Sequence, residues 1–79
     1  MPCFYTHVSY AKQCARDLEG EWFADLDAAR ESARQSARLM ISQMIAAGND
    51  AIRLEYRICD AAGALLATVP ASASISWLE

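Results

Sequence analysis

With a single histidine, three glycines and two prolines in 79 residues, the sequence has little material for several kinds of site. There is no Gly-rich loop to cradle a phosphate and no histidine cluster to hold a metal. Cys3, Cys14 and Cys59 are odd in number and form no CxxC element. That argues against a disulfide framework or a zinc ribbon and leaves reduced thiols in the cytoplasm as the simpler reading. No uninterrupted apolar run approaches the roughly 20 residues of a membrane helix. The first residues also lack the basic region, apolar core and small-residue cleavage site of a signal peptide. The expectation is a cytoplasmic protein with no membrane span. Neither charge sign dominates. Seven basic and ten acidic residues leave a net charge of −3, which argues against non-specific attraction to nucleic acid or anionic membrane.

Present instead is the composition of one small globular domain, 54% apolar and 22% charged, with no low-complexity run. A chain this short buries only roughly 60% of the surface that its unfolded form exposes, so a second copy would add stability. The clearest signal runs from Asp25 to Gly48. Asp25 is a good N-cap, because its carboxylate can accept from the orphan N–H groups of a first helical turn, and Asp27 adds negative charge at the positive end of the dipole. Leu26, Ala29, Ala33, Ala37, Met40 and Met44 then recur at spacings of three and four, stacked on one helix face that must be covered. Gly48 tolerates positive φ and is followed by the loop formers Asn49 and Asp50, which ends the helix.

Strand patterns flank the helix. Phe4 to Tyr10 places Phe4, Thr6 and Val8 on one face and Tyr5, His7 and Ser9 on the other. Ala11 to Gly20 is polar and without sustained periodicity, and Glu21 to Phe23 reads as a short extended piece. After the helix, Ile52, Leu54, Tyr56 and Ile58 alternate with Arg53, Glu55, Arg57 and Cys59, the pattern of a strand with one packed face and one wet face. Asp60 to Gly63 forms a short connection, and Ala64 to Val69 resumes as a strand that Pro70 either ends or confines to an edge. The expected fold is α+β: a two-layer β-α-β-β domain with one long amphipathic helix on a small three-stranded sheet. The favoured order has the final strand between the other two, and the alternative has the middle strand at the centre. Residues 1–70 form the domain, and residues 71–79 are a tail or an added strand.

Met1-Pro2 leading to Phe4-Tyr5-Thr6-His7-Val8, the stretch Asp17-Leu18-Glu19-Gly20, the helix start Asp25-Leu26-Asp27-Ala28-Ala29-Arg30 and the hairpin Asp60 to Leu66 with Val69-Pro70 together resemble a family. It is a domain-of-unknown-function family of short proteins common in rhizobia and other alphaproteobacteria. The resemblance covers most of residues 1–70, supports the fold and implies no activity, cofactor or catalytic residue. The chain departs from the family pattern in lacking an acidic turn within Ser9 to Arg16 and in the segment Ala71 to Glu79, which extends past the usual end.

Few residues bear chemistry. A Cys/His pair would need a thiol within reach of His7, and Cys59 is the candidate across the sheet, yet no oxyanion hole or orienting group accompanies them. Metal binding by Cys3, His7, Cys14 and Cys59 suits zinc chemically but matches no known ligand spacing. Neither cofactor nor metal is expected. Arg30, Arg34 and Arg38 make a basic row that could meet phosphates, but Asp27 and Glu31 sit three residues before Arg30 and Arg34, and local ion pairing makes a solvated helix face the favoured reading. Trp22 and Phe23 are expected in the core. Ile75, Trp77 and Leu78 form an apolar cluster at the end of a polar segment and are the candidate interface. The sequence identifies no biochemical function. Its favoured reading is a small non-enzymatic protein-interaction module that self-associates as a homodimer, ahead of a nucleic-acid-binding regulator using the basic helix face and, third, a small thiol enzyme.

Overall fold

The computed structural model describes residues 1–78, so Glu79, the last residue of the expected tail, lies outside them. Five strands and one helix follow in the order β1 (Cys3–Tyr10), β2 (Gln13–Ala15), β3 (Glu21–Trp22), α1 (Leu26–Ala46), β4 (Ala51–Cys59) and β5 (Leu65–Ser74). The fold is α+β, with α1 laid across one face of an antiparallel sheet. Two details of the expected layout are overturned. The sheet has five strands rather than three, in the order β2-β1-β4-β5 with β3 also on β1, and β4 rather than the final strand stands between β1 and β5, which is the alternative order and not the favoured one.

Both corrections have one cause. The chain leaves β1, pairs β2 with the end of β1 at Val8 to Tyr10, then returns along β1 and pairs β3 with its beginning at Cys3 and Phe4. The helix therefore starts beside the beginning of β1 and finishes beside its end. β4 enters there, with Leu54 opposite Tyr10, and runs back antiparallel to β1 until Cys59 lies opposite Tyr5. Had the helix followed β1 directly, β4 would have been parallel to it. The tight connection to β5 then leaves β5 at the outside of β4.

The helix ends are chemically explicit. The Asp25 carboxylate accepts the Ala28 N–H at 2.8 Å, satisfying a donor that the first turn would otherwise leave unpaired. At the other end Gly48 (φ +105°) donates its N–H to the Ile45 carbonyl at 3.0 Å, and Asn49 donates to Met44 at 3.1 Å, the pair of bonds of a Schellman stop. Ala29, Ala33 and Ala37 are buried against Phe4, Ile52, Leu54, Tyr56, Ile58 and Val69, with Leu26, Met40, Ile41, Met44 and Ile45 packed around them. Alanines along the contact line let the helix axis approach the sheet closely, and the larger side chains seal the flanks.

The β4–β5 hairpin turns on Asp60. Its carboxylate accepts the Ala62 and Ala64 N–H groups at 2.9 Å each, its carbonyl accepts from Gly63 at 3.0 Å, and Gly63 has φ +88°, which side chains disfavour. An irregularity between Ile58 and Cys59 lets Ala67, Val69, Ala71 and Ala73 share the helix side with Ile58, Tyr56, Leu54 and Ile52. β5 passes through Pro70 and continues to Ser74, and Ile75 N–H still reaches the Asp50 carbonyl at 2.8 Å.

Candidate functional site

The two edges of the sheet are treated differently. Along the outer edge of β1 the short β2 and β3 cover the ends, and the loop between them covers the middle. Asp17 anchors that loop: its carboxylate accepts Thr6 N–H at 3.2 Å and, within its own turn, Glu19 N–H at 3.2 Å and Gly20 N–H at 3.0 Å. The Asp17 N–H in turn donates to His7 Nδ1 at 3.0 Å. Partial burial pushes the Asp17 carboxyl up, but the N–H groups of Gly20, Thr6 and Glu19 outweigh it and hold the group below its ordinary value. The Asp-x-x-Gly stretch is thus a structural clamp on β1. Under it, Cys3 lies beside Tyr5 and raises the phenol above its ordinary range, first through charge and then through a hydrogen bond, with burial and Asp17 adding to the effect.

β5, at the opposite end of the strand order, has no such cover among the described residues. Pro70 has no N–H and sits opposite Glu55, so that pair is one at which backbone groups point away from the partner strand. By alternation Thr68, Ser72 and Ser74 also direct their backbone groups outward, while Ile75 N–H points inward to Asp50. The edge therefore presents a row of unpaired groups over 10 residues, interrupted only by the donor that Pro70 lacks. No charged side chain occurs from Ala61 to Leu78, so the usual charged guard against edge pairing is absent.

Beside this edge, between α1 and β5, lies a groove of 580 Å³ walled by Ala37, Ile41 and Ile45 on the helix and by Val69 and Ala71 on the strand, with Arg34 and Arg38 on its rim. The basic row of α1 is partly paired: Arg30 meets Asp27 at 3.0 Å, and Glu31 meets Arg34 at 3.4 Å and Arg38 at 3.9 Å. These are exposed pairs of small energetic weight, but they reduce the free positive charge along the helix. Of the candidate interface residues, Ile75 is half-buried, while Trp77 and Leu78 are 73% and 94% exposed. Tyr56 is buried on the packed face, its hydroxyl 3.8 Å from Met40 Sδ; burial raises its phenol above the ordinary range.

The expected core position of Trp22 is wrong. Its side chain is 63% exposed, because β3 pairs only at the beginning of β1 and turns Trp22 outward, whereas Phe23 packs its ring 6.1 Å from that of Phe4. His7 and Cys59 do lie on neighbouring strands, but the residues opposite them are Arg57 and Tyr5. His7 Nδ1 is already an acceptor for the Asp17 backbone, Cys59 is buried, and among the described residues no hydrogen bond joins an imidazole to a thiol. Nor do three or more His, Cys, Asp or Glu side chains converge among those residues in a way that could hold a metal. Among the described residues no helix is long and apolar enough to cross a membrane. The favoured strand order placed the final strand at the centre, although Pro70 and the uncharged run from Ala61 to Leu78 were both signals for an edge.

No curated protein and no solved structure matches the chain. The family described as Domain of unknown function (DUF6894) matches residues 3–72, a span that takes in the Asp17 clamp, the capped helix and most of the exposed β5 edge. The chain belongs to this DUF6894 family.

Proposed function

We propose that the protein is a small non-enzymatic protein-interaction module that self-associates, with β5 pairing to β5 of a second copy about a two-fold axis. The observation that carries this reading is the β5 edge, which is long, uncharged and uncovered while the opposite edge of the same sheet is shielded. Antiparallel pairing of like strands is self-complementary and closes at two copies. The helices of both copies then lie on one side of a continuous sheet. The arrangement supplies the partner that a domain of this size gains most from. The occupied His7 Nδ1 and the buried Cys59 thiol support the non-enzymatic part of the reading.

Light scattering over a concentration series tests it. The full chain is expected to pass from monomer to dimer, and Ser72→Lys, which places a charge on the exposed edge strand, is expected to remain monomeric with an unchanged far-UV spectrum. A monomer at every concentration for the full chain overturns the proposal.

A further inference from the structure

We infer that the groove between α1 and β5 is the seat for the C-terminal segment of the second copy, with Ile75 and Trp77 of the partner subunit as its occupants. The inference rests on the self-association proposed above and adds to it which side chains carry the contact. Each chain holds a largely apolar groove of 580 Å³ and, a few residues beyond the same strand, a tryptophan that is 73% exposed. Within one chain the two do not meet. Across a two-fold axis they do.

The register follows from the ladder. Thr68, Pro70, Ser72 and Ser74 direct their backbone groups outward, so hydrogen-bonded pairing between copies must set even-numbered residues opposite even-numbered ones. Of the two-fold positions that satisfy this, those beside Ser72 and beside Ala73 set the partner subunit's Ile75 opposite a strand residue that walls the groove. With the axis at Ser72, the partner subunit's Ile75 lies opposite Val69 and the partner subunit's Trp77 opposite Ala67. With the axis at Ala73 they lie opposite Ala71 and Val69. Odd-numbered residues of β5 face the helix, as Ala67, Val69 and Ala71 show by packing against the core. Pairing extends the tail as strand, and both registers direct the incoming indole toward the flank of α1.

The chemistry of the groove fits that occupant. Its walls are mostly apolar, with Ala37, Ile41, Ile45, Val69, Pro70 and Ala71 beside the hydroxyls of Ser42 and Ser72, and the arginines on its rim keep substantial exposure, with side chains 51% exposed at Arg34 and 70% at Arg38. A guanidinium over an indole face is a favourable contact. The incoming segment carries no charge from Ala61 to Leu78, so it buries no unpaired ion and meets no repulsion from the rim. Two indoles bury on the order of 300–500 Å². The walls that they cover are already partly buried, with Ala37 4% and Val69 6% exposed, and add a smaller area, so the tails supply part of the roughly 1,200–2,000 Å² of a stable interface and edge pairing supplies the rest.

The test uses the full chain with Trp22→Phe, which leaves Trp77 as the reporter, and follows its emission and the dimer dissociation constant by sedimentation. Dimerisation is expected to shift Trp77 emission to shorter wavelength. Trp77→Ala is expected to weaken the dimer about 100-fold, roughly tenfold for each of the two indoles lost. Arg38→Ala is expected to weaken the dimer several-fold when Trp77 is present and not at all in the Trp77→Ala background. A dimer whose Trp77 emission stays that of an exposed indole, or whose dissociation constant is unmoved by Trp77→Ala, overturns the inference and leaves edge pairing standing. Equal weakening by Arg38→Ala in both backgrounds places the indole elsewhere and overturns it too. Absence of any dimer overturns both readings.

Discussion

Gly20→Ala is expected to be far more damaging than alanine at the other two glycines, although all three have positive φ. A Cβ built on Gly20 lies 2.7 Å from Cys3 Sγ and 2.9 Å from Tyr5 Cε2, whereas at Gly48 and Gly63 nothing lies within 4 Å. The backbone penalty of a left-handed conformation, about 1–2 kcal/mol, is common to the three sites. Gly20 adds the cost of forcing a methyl into occupied space, typically about 1–3 kcal/mol. Gly20→Ala should therefore destabilise by about 2–5 kcal/mol, against about 1–2 kcal/mol for Gly63→Ala. The Tyr5 ring can swing aside at the expense of its contacts, but Cys3 Sγ has one rotatable bond, so Cys3→Ala should return part of the loss in a Gly20→Ala background. Urea unfolding followed by far-UV circular dichroism measures each variant, at a single protein concentration because association alters apparent stability. Equal losses at Gly20 and Gly63, or no recovery with Cys3→Ala, would refute the argument that the clamp loop rests directly on Cys3 and Tyr5.

Ala33→Asp is expected to cost at least about 3 kcal/mol, because Ala33 is 3% exposed against the sheet and the carboxylate would be buried without a partner; a thermal melt unchanged from the parent would show the packing face to be wrong. Asp17→Asn should destabilise by about 1–2 kcal/mol at neutral pH, since the carboxylate accepts three backbone N–H groups and an amide nitrogen facing any of them would oppose donor to donor. The native Asp17 carboxyl lies below its ordinary value of 3.8, so its contribution is complete above that pH and is lost as pH falls through the depressed native value. Urea titrations of parent and Asp17→Asn should accordingly converge at acid pH, and a gap independent of pH would contradict the clamp. Ser72→Lys and Trp77→Ala separate edge pairing from tail docking in the dimer, as described above.

The parts of this protein legible in its sequence are those decided by neighbours along the chain. The Asp25 cap, the three-and-four spacing through Ala29, Ala33 and Ala37, and the Gly48 stop depend on contacts within a few turns, and the helix runs over Leu26–Ala46 as they require. The alternation from Ile52 to Ile58 likewise marks a strand with one packed face because side chains alternate sides wherever a strand lies. β2 was invisible for the complementary reason. Its three residues are all exposed, and its turn places Ala11 at φ +55° without the Asn-Gly or Asp-Gly pair that advertises a hairpin.

Strand order was decided only by the tertiary structure. Hydrophobic pattern specifies which face of a strand is buried and not which strand lies beside it, and here the choice turned on the short return along β1. The same holds for His7, whose acceptor nitrogen is engaged by a backbone group ten residues away, and for Trp22, whose aromatic bulk suggested a core position that its two-residue strand does not reach. The uncharged run from Ala61 to Leu78 is plain in the sequence. Only the placement of β5 outside β4 makes that run an uncovered edge beside a groove, because an edge is a property of the neighbours that a strand lacks in space.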